Sequence, residues 1–196
     1  MKNVYLTFLV VSLSTTLFAQ QSSTGVPDTV KNIAKNGSTG AYTISSNGYL
    51  NHNGTGFGNA PITTNCIVNC VSDYLYFHTF NFNIPANAVI TGIEATHTRG
   101  GCNSGSWAID TLHIAYNGSI ISSPKRDSTT NMTTGTLGSS NDLWGTLLTP
   151  AIVNSNSFGV FINTTGNGIC TFGQFDLRFT IYYCTQNSNT QNVPDS

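Results

Sequence analysis

Gln174-Phe175-Asp176-Leu177-Arg178-Phe179-Thr180-Ile181-Tyr182-Tyr183 alternates apolar and polar side chains without a break. Phe175, Leu177, Phe179, Ile181 and Tyr183 fall on one side, and Gln174, Asp176, Arg178, Thr180 and Tyr182 on the other. A period of two sustained over such a stretch predicts a half-buried β-strand. Working outward, Ser157–Asn163 (Phe158, Val160, Ile162) repeats the pattern. So do Trp107–Tyr116, with Leu112 and Ile114 inward and Thr111 and His113 outward, and Val89–Arg99, where Ile93, Ala95 and His97 alternate with Glu94, Thr96 and Thr98. Asn117-Gly118 between two such runs predicts a hairpin, because both central residues of a type I′ turn need positive φ. Tyr74–Phe82 is apolar on both faces: Tyr74, Tyr76, His78, Phe80 and Phe82 on one, Leu75, Phe77 and Thr79 on the other. That predicts a single strand buried between layers. Thr149-Pro150-Ala151-Ile152-Val153 predicts a one-turn helix, with Thr as N-cap and Pro at the first helical position. Lys125–Ser140 has no periodicity and is expected to be a long loop or an edge excursion. The fold class expected is all-β, a jelly-roll-like antiparallel β-sandwich with one short helical turn.

Composition narrows the functional classes. The chain has 196 residues and a net charge of −1, and only 8% of its residues are charged, against about 25% in ordinary soluble proteins. Nucleic-acid binding, which needs a basic footprint, is excluded. Met1-Lys2-Asn3, the apolar run Val4–Phe18 and the small residue Ala19 predict a secretory signal peptide over 1–19. That run is interrupted by Ser12, Ser14, Thr15 and Thr16 and falls short of the ~20 apolar residues of a membrane span, so no membrane insertion is expected. Residues 20–72 are expected to be an irregular N-terminal extension contributing edge strands. Residues 73–184 are expected to form the sandwich, and 185–196 a polar tail. The protein is expected to be secreted, extracellular or at the cell surface.

Export permits disulfides. The five cysteines are Cys66, Cys70, Cys102, Cys170 and Cys184. Cys102 and Cys170 each lie in a Gly-rich loop joining two strands and are expected to pair where those loops meet. Cys66 and Cys70 pair with each other, or one of them reaches Cys184. An odd count leaves one thiol over, a means of self-association.

No catalytic residues emerge. The carboxylates Asp73, Glu94, Asp110, Asp127, Asp142 and Asp176 are too dispersed to pair for glycoside hydrolysis. A G-x-S-x-G elbow is absent, and His97 and His113 are expected on opposite faces, which gives them no shared metal. No cofactor is expected. The D-x-D-x-D-G loop is missing, leaving Asn141-Asp142 and Asp127 as the oxygen donors for a structural calcium ion. Rings and amides are the more useful hint, since sugar-binding sandwiches stack planar rings on pyranose faces. Trp107, Tyr182, Arg178 and Gln174 are the candidate ligand-binding residues, while Trp144 is expected in the core.

One ordered set of motifs carries a resemblance. Phe80-Asn81-Phe82-Asn83-Ile84-Pro85-Ala86-Asn87-Ala88-Val89-Ile90-Thr91-Gly92-Ile93-Glu94 is followed by Asn141-Asp142-Leu143-Trp144-Gly145, Leu148-Thr149-Pro150-Ala151 and Asn154-Ser155-Asn156-Ser157-Phe158-Gly159-Val160. Together these resemble a β-sandwich module of secreted bacterial proteins, notably extracellular proteins of Bacteroidetes, and of some phage structural proteins. The likeness spans about 110 residues and implies architecture, with no catalytic activity attached. Such modules often precede a type IX sorting domain, and none is expected in this sequence. Thr96, His97 and Thr98 stand where the modules usually carry charged strand residues. The functional expectation is a non-enzymatic adhesion or glycan-binding module whose partner is an extracellular glycan or surface protein. The alternative is a structural or assembly subunit of a surface fibre or layer.

Overall fold

The structure is a computed structural model that describes residues 19–39, 43–44, 51–52, 58–65, 70–99, 106–130, 134–167 and 169–185. Its elements run β1 (Gln20–Gly25), β2 (Thr29–Ile33), β3 (Thr43–Ile44), β4 (Asn51–His52), β5 (Gly58–Asn65), β6 (Cys70–Val71) and β7 (Tyr74–His78). Next come β8 (Ala88–Arg99), β9 (Ser106–Tyr116), β10 (Ser119–Ile120), β11 (Lys125–Asp127) and β12 (Thr134–Ser139). The helix α1 (Pro150–Val153), β13 (Phe158–Asn167) and β14 (Ile169–Thr185) complete the order.

Two antiparallel sheets face each other. Sheet A has the order β12-β8-β14-β5-β3, with β1 also on β14 and β4 on β5. Sheet B has the order β10-β9-β13-β7-β2, with β11 on β9 and β6 on β13. Stripped to β12-β8-β14-β5 and β11-β9-β13-β7, the strands swap sheets along the chain as two interleaved Greek keys do. The fold is a jelly-roll-like antiparallel sandwich, as the alternation predicts.

The same alternation fills the core. Leu177, Phe179 and Ile181 from β14 and Ile93 and Ala95 from β8 meet Leu75 and Phe77 of β7, Leu112 and Ile114 of β9, and Phe158, Val160 and Ile162 of β13, all at most 1% exposed. Phe179 lies edge-on to Trp144 (6.2 Å) and tilted against Phe80 (5.1 Å). The hairpin at Asn117-Gly118 has φ of 51° and 72°, as its sequence requires. Helix α1 is capped by Thr149, whose hydroxyl accepts from the Ile152 amide at 3.3 Å.

The structure departs from the sequence reading in two places and decides one alternative that the reading left open. The strand expected over Tyr74–Phe82 stops at His78, because Thr79 and Asn81 take positive φ of 62° and 53°. The chain then turns inward, so Phe80, Phe82 and Ile84 enter the core outside any strand. Lys125–Ser140 is an edge excursion that supplies β11 to sheet B and β12 to sheet A. Before Asp73, β1 adds to sheet A and β2 to sheet B, while β5 lies inside sheet A between β14 and the short β3 and β4. Pro61 of β5 falls opposite the register shift between Phe172 and Phe175, where a residue without an amide hydrogen interrupts no ladder bond.

Candidate functional site

Of the four residues that the sequence offers for ligand binding, the three whose side chains are described do not form one site. Trp107 is 2% exposed inside the sandwich, so it presents no ring to a sugar; the register of β9 turns it inward with Ile109. Tyr182 and Arg178 alternate with core residues on β14 and so lie on the outer face of sheet A, both half-buried. Tyr182 lies close enough to the Glu94 carboxylate to feel its charge. Burial and the Glu94 charge both favour the protonated phenol and raise its pKa above the usual value. The Gln174 side chain lies outside the described residues.

Among the cysteines, Cys70 is disulfide-bonded and buried. Cys184 is a free thiol at the opposite end of the strands: it pairs in register with Val89 and Gln20, whereas Cys70 pairs with Gly166. The alternative bridge to Cys184 is therefore not formed. Cys66 and Cys102, and the side chain of Cys170, lie outside the described residues.

The two outer faces differ in kind. On sheet A, Thr24 bonds Thr180 (3.1 Å) and Thr98 bonds Thr134 (2.9 Å), beside Glu94, Arg178 and Tyr182. On sheet B the outward positions of β7 and β13 carry rings. Tyr74 stacks on Phe161 (5.4 Å), Tyr76 meets Phe161 edge-on (4.7 Å) and stacks on His78 (4.8 Å), and His113 lies edge-on to Tyr74 (6.5 Å). Tyr76 and Phe161 form a small second core with Ala115, roofed by Tyr74, and the Lys35 ammonium sits 5.9 Å from the centre of the Tyr74 ring. Beyond the rings, Arg126 pairs with Asp110 (2.9 Å), Asp110 accepts from Asn163 (3.2 Å), and Thr111 donates to Asn163. The sequence carries the signal for this cluster, an aromatic run at period two in Tyr74, Tyr76 and His78, which the expectation of a strand buried between layers places in the interior instead.

At the corner of this face, where β7 ends, a hollow of about 450 Å³ is lined by Lys31, Ile33, Tyr76, His78, Thr79 and Asn156, among others. Register sets Lys31 opposite Tyr76 and Thr29 opposite His78. The Tyr76 hydroxyl donates to the Ser157 carbonyl (2.6 Å), and the Ser157 hydroxyl donates to Asn117 (2.6 Å), which fixes the loop wall against the hairpin. His78 is held at Nδ1 by the hydroxyls of Thr29 (3.0 Å) and Thr79 (2.9 Å). Burial and the nearby Lys31 charge push its pKa below the usual imidazole value, against a smaller opposing pull from the Asn156 backbone. No carboxylate lines the hollow among the described residues.

Two polar contacts lie at the β11–β12 edge. His97 is fully buried, with Nε2 3.2 Å from an Asp127 oxygen. Lys125 pairs with Asp142, and its ammonium lies 5.7 Å from the centre of the Trp144 ring. His97 and His113 sit on different sheets, one inward and one outward. Among the described residues, no three His, Cys, Asp or Glu side chains converge on a metal position.

No family model matches this chain, and no curated protein matches it. Among solved structures it is similar to one described as "Cyanophage Pam1 capsid asymmetric unit", at 13% identity and a TM-score of 0.33, over 94% of this chain and 97% of that one. It is also similar to one described as "Structure of infectious bursal disease virus Gx strain", at 6% identity and a TM-score of 0.27, over 93% of this chain and 37% of that one.

Proposed function

We propose that this chain is a non-enzymatic, exported β-sandwich that serves as a structural or assembly subunit, packing against copies of itself through the outer face of sheet B. The observation that carries the reading is the contrast between the two outer faces. A sheet face open to water is ordinarily polar, as the threonine-rich face of sheet A is. The opposite face gathers Tyr74, Tyr76, Phe161 and His113 outside the main core. Tyr76 and Phe161 are buried within the single chain, whereas Tyr74 and His113 stay half-buried, and such tyrosine and histidine rings suit a contact that is dry in the assembly and wet in the free subunit. The disulfide at Cys70 supports a compartment outside the cytosol. Adhesion through Trp107 and Tyr182 loses support, since one ring is in the core and the other is half-buried beside Glu94.

Sedimentation velocity across a dilution series tests this. The chain without its leader is expected to associate as concentration rises, and Tyr74→Glu or His113→Glu to return it to monomer with an unchanged far-UV spectrum. A chain that sediments as a monomer at every concentration overturns the reading.

A further inference from the structure

We infer that Asn36 is a self-modifying site: its side-chain amide closes on the Gly37 backbone nitrogen, loses ammonia and leaves an aspartate or isoaspartate beside Asp73. The inference goes beyond the assembly reading and does not depend on it, since Asn36 and Gly37 lie in the turn after β2 and not in the ring cluster. The chemistry needs an asparagine followed by a residue with no side chain to obstruct the attacking nitrogen, which is glycine. Two such pairs lie wholly within the described residues, Asn36-Gly37 and Asn117-Gly118. The fold treats them oppositely.

Asn36 is exposed, and the turn Lys35–Ser38 is closed by the Ser38 amide donating to the Lys35 carbonyl (3.0 Å). Gly37 has φ of 77° and open space where a Cβ would stand. Among the described residues none bonds the Asn36 side chain, so its amide carbon can swing onto the next nitrogen. In that step a base takes the Gly37 amide proton, the nitrogen bonds to Asn36 Cγ, and the Cγ–Nδ2 bond breaks as the departing amine takes up a proton and leaves as ammonia. Water then opens the cyclic imide at either carbonyl. At Asn117 the same closure is obstructed. The Ser157 hydroxyl holds its Oδ1 (2.6 Å), its own amide donates to the Ser157 carbonyl (3.2 Å), and the Gly118 amide lies beside the Tyr76 hydroxyl. Closing an imide there means giving up these contacts first. The product at residue 36 has a local consequence. On either side of it, the Lys35 amide and the Ser38 hydroxyl donate to the Asp73 carboxylate (3.0 and 2.5 Å). A new carboxylate between these donors repels Asp73, and the isoaspartate form also lengthens the main chain, which pulls the two donors out of step. Modification thus loosens the clasp that fastens the exit of β2 to the start of β7.

The test is to hold the chain without its leader in mildly alkaline buffer, folded and in urea, and to follow the amide-to-acid gain in mass at each asparagine by peptide fragmentation. In the folded chain Asn36 is expected to convert about tenfold faster than Asn117 or more, a factor that corresponds to ~1.4 kcal/mol of barrier. In urea the two rates are expected to converge. Ser157→Ala is expected to speed conversion of Asn117 and leave that of Asn36 unchanged. Asn36→Gln, which keeps the amide but closes poorly, is expected to stay unmodified. Asn36→Asp, which carries the product's charge, is expected to lower the urea midpoint below that of Asn36→Gln. Equal rates at the two sites in the folded chain, the same ratio of rates in urea, or a converted Asn117 beside an intact Asn36 would each overturn the site. An Asn36→Asp midpoint equal to that of Asn36→Gln would overturn the consequence for Asp73.

Discussion

Asn154 clasps the backbone of Ile84 from both sides: its Oδ1 accepts the Ile84 amide hydrogen and its Nδ2 donates to the Ile84 carbonyl, each at 2.8 Å. The side chain behaves as a one-residue strand partner. It joins the end of α1 to the segment that carries Phe80, Phe82 and Ile84 into the core, where no ladder is available to satisfy those groups.

Asn154→Ala is therefore expected to cost about 1–3 kcal/mol, the penalty for leaving partly buried backbone groups unsatisfied. Asn154→Asp keeps the acceptor and loses the donor, and falls between. Urea unfolding monitored by tryptophan fluorescence reads both; a midpoint unchanged in Asn154→Ala would refute the clasp.

Trp144 has φ of 58° and donates its indole hydrogen to the Ile93 carbonyl at 3.0 Å. Gly138, at φ 86°, passes so close that an added Cβ would lie 2.6 Å from the indole nitrogen and 2.2 Å from the Ile93 oxygen. Gly138→Ala is expected to destabilise by more than the ~1 kcal/mol typical of point changes, and Trp144→Phe by about 1–3 kcal/mol through the unpaired carbonyl. Thermal unfolding of the two variants should show both losses, and a Gly138→Ala variant as stable as the parent would exclude the close approach.

Acid should weaken the β2–β7 edge. Burial alone would raise the Asp73 pKa, but donors from Ser38 (2.5 Å), the Lys35 amide (3.0 Å) and Asn32 (3.1 Å) outweigh it and hold the carboxyl below its ordinary 3.8. A depressed carboxylate adds stability that is complete above the unfolded value and is lost as pH falls through the folded one. Stability should thus drop below about pH 4, and less so in Asp73→Asn, already weakened at neutral pH. Parallel slopes for the two proteins in denaturant midpoints against pH would contradict this.

Histidines on the outer face of sheet B give a second pH window. His78 and His113 are both lowered from 6.5, chiefly by burial. In the unfolded chain each binds its proton first, so stability rises with pH between the folded and unfolded values and declines once pH falls below about 6.5. His113→Gln should flatten that decline just below about pH 6.5, an effect separable from the Asp73 window. An unaltered profile in His113→Gln would rule out a share for that ring.

What was legible in the sequence was whatever repeats at period two or takes a defined turn: β8, β9, β13, the middle of β14, the Asn117-Gly118 hairpin and the Thr149 cap. β5 was not, because Gly58-Asn59-Ala60-Pro61-Ile62-Thr63-Thr64-Asn65 has no apolar alternation and owes its place to long-range pairing with β14. The end of β7 was hidden for the opposite reason. Aromatics continue through Phe80 and Phe82 with unbroken spacing, and only the left-handed backbone at Thr79 and Asn81 reverses their direction. The hollow was illegible because Lys31, His78 and Asn156 come from three distant segments. Trp107 misled because ring content alone does not say which side of a sheet a residue faces.

β14 pairs with β8, β5 and β1, and its register sets Cys184 against Gln20, residues at opposite ends of the described chain. During synthesis the first three of these strands emerge while their shared neighbour is still missing, so sheet A has no centre to form around. Topologies that wait on such remote partners collapse late and slowly. Under the export proposed above, that delay keeps the nascent molecule pliable until translocation is over.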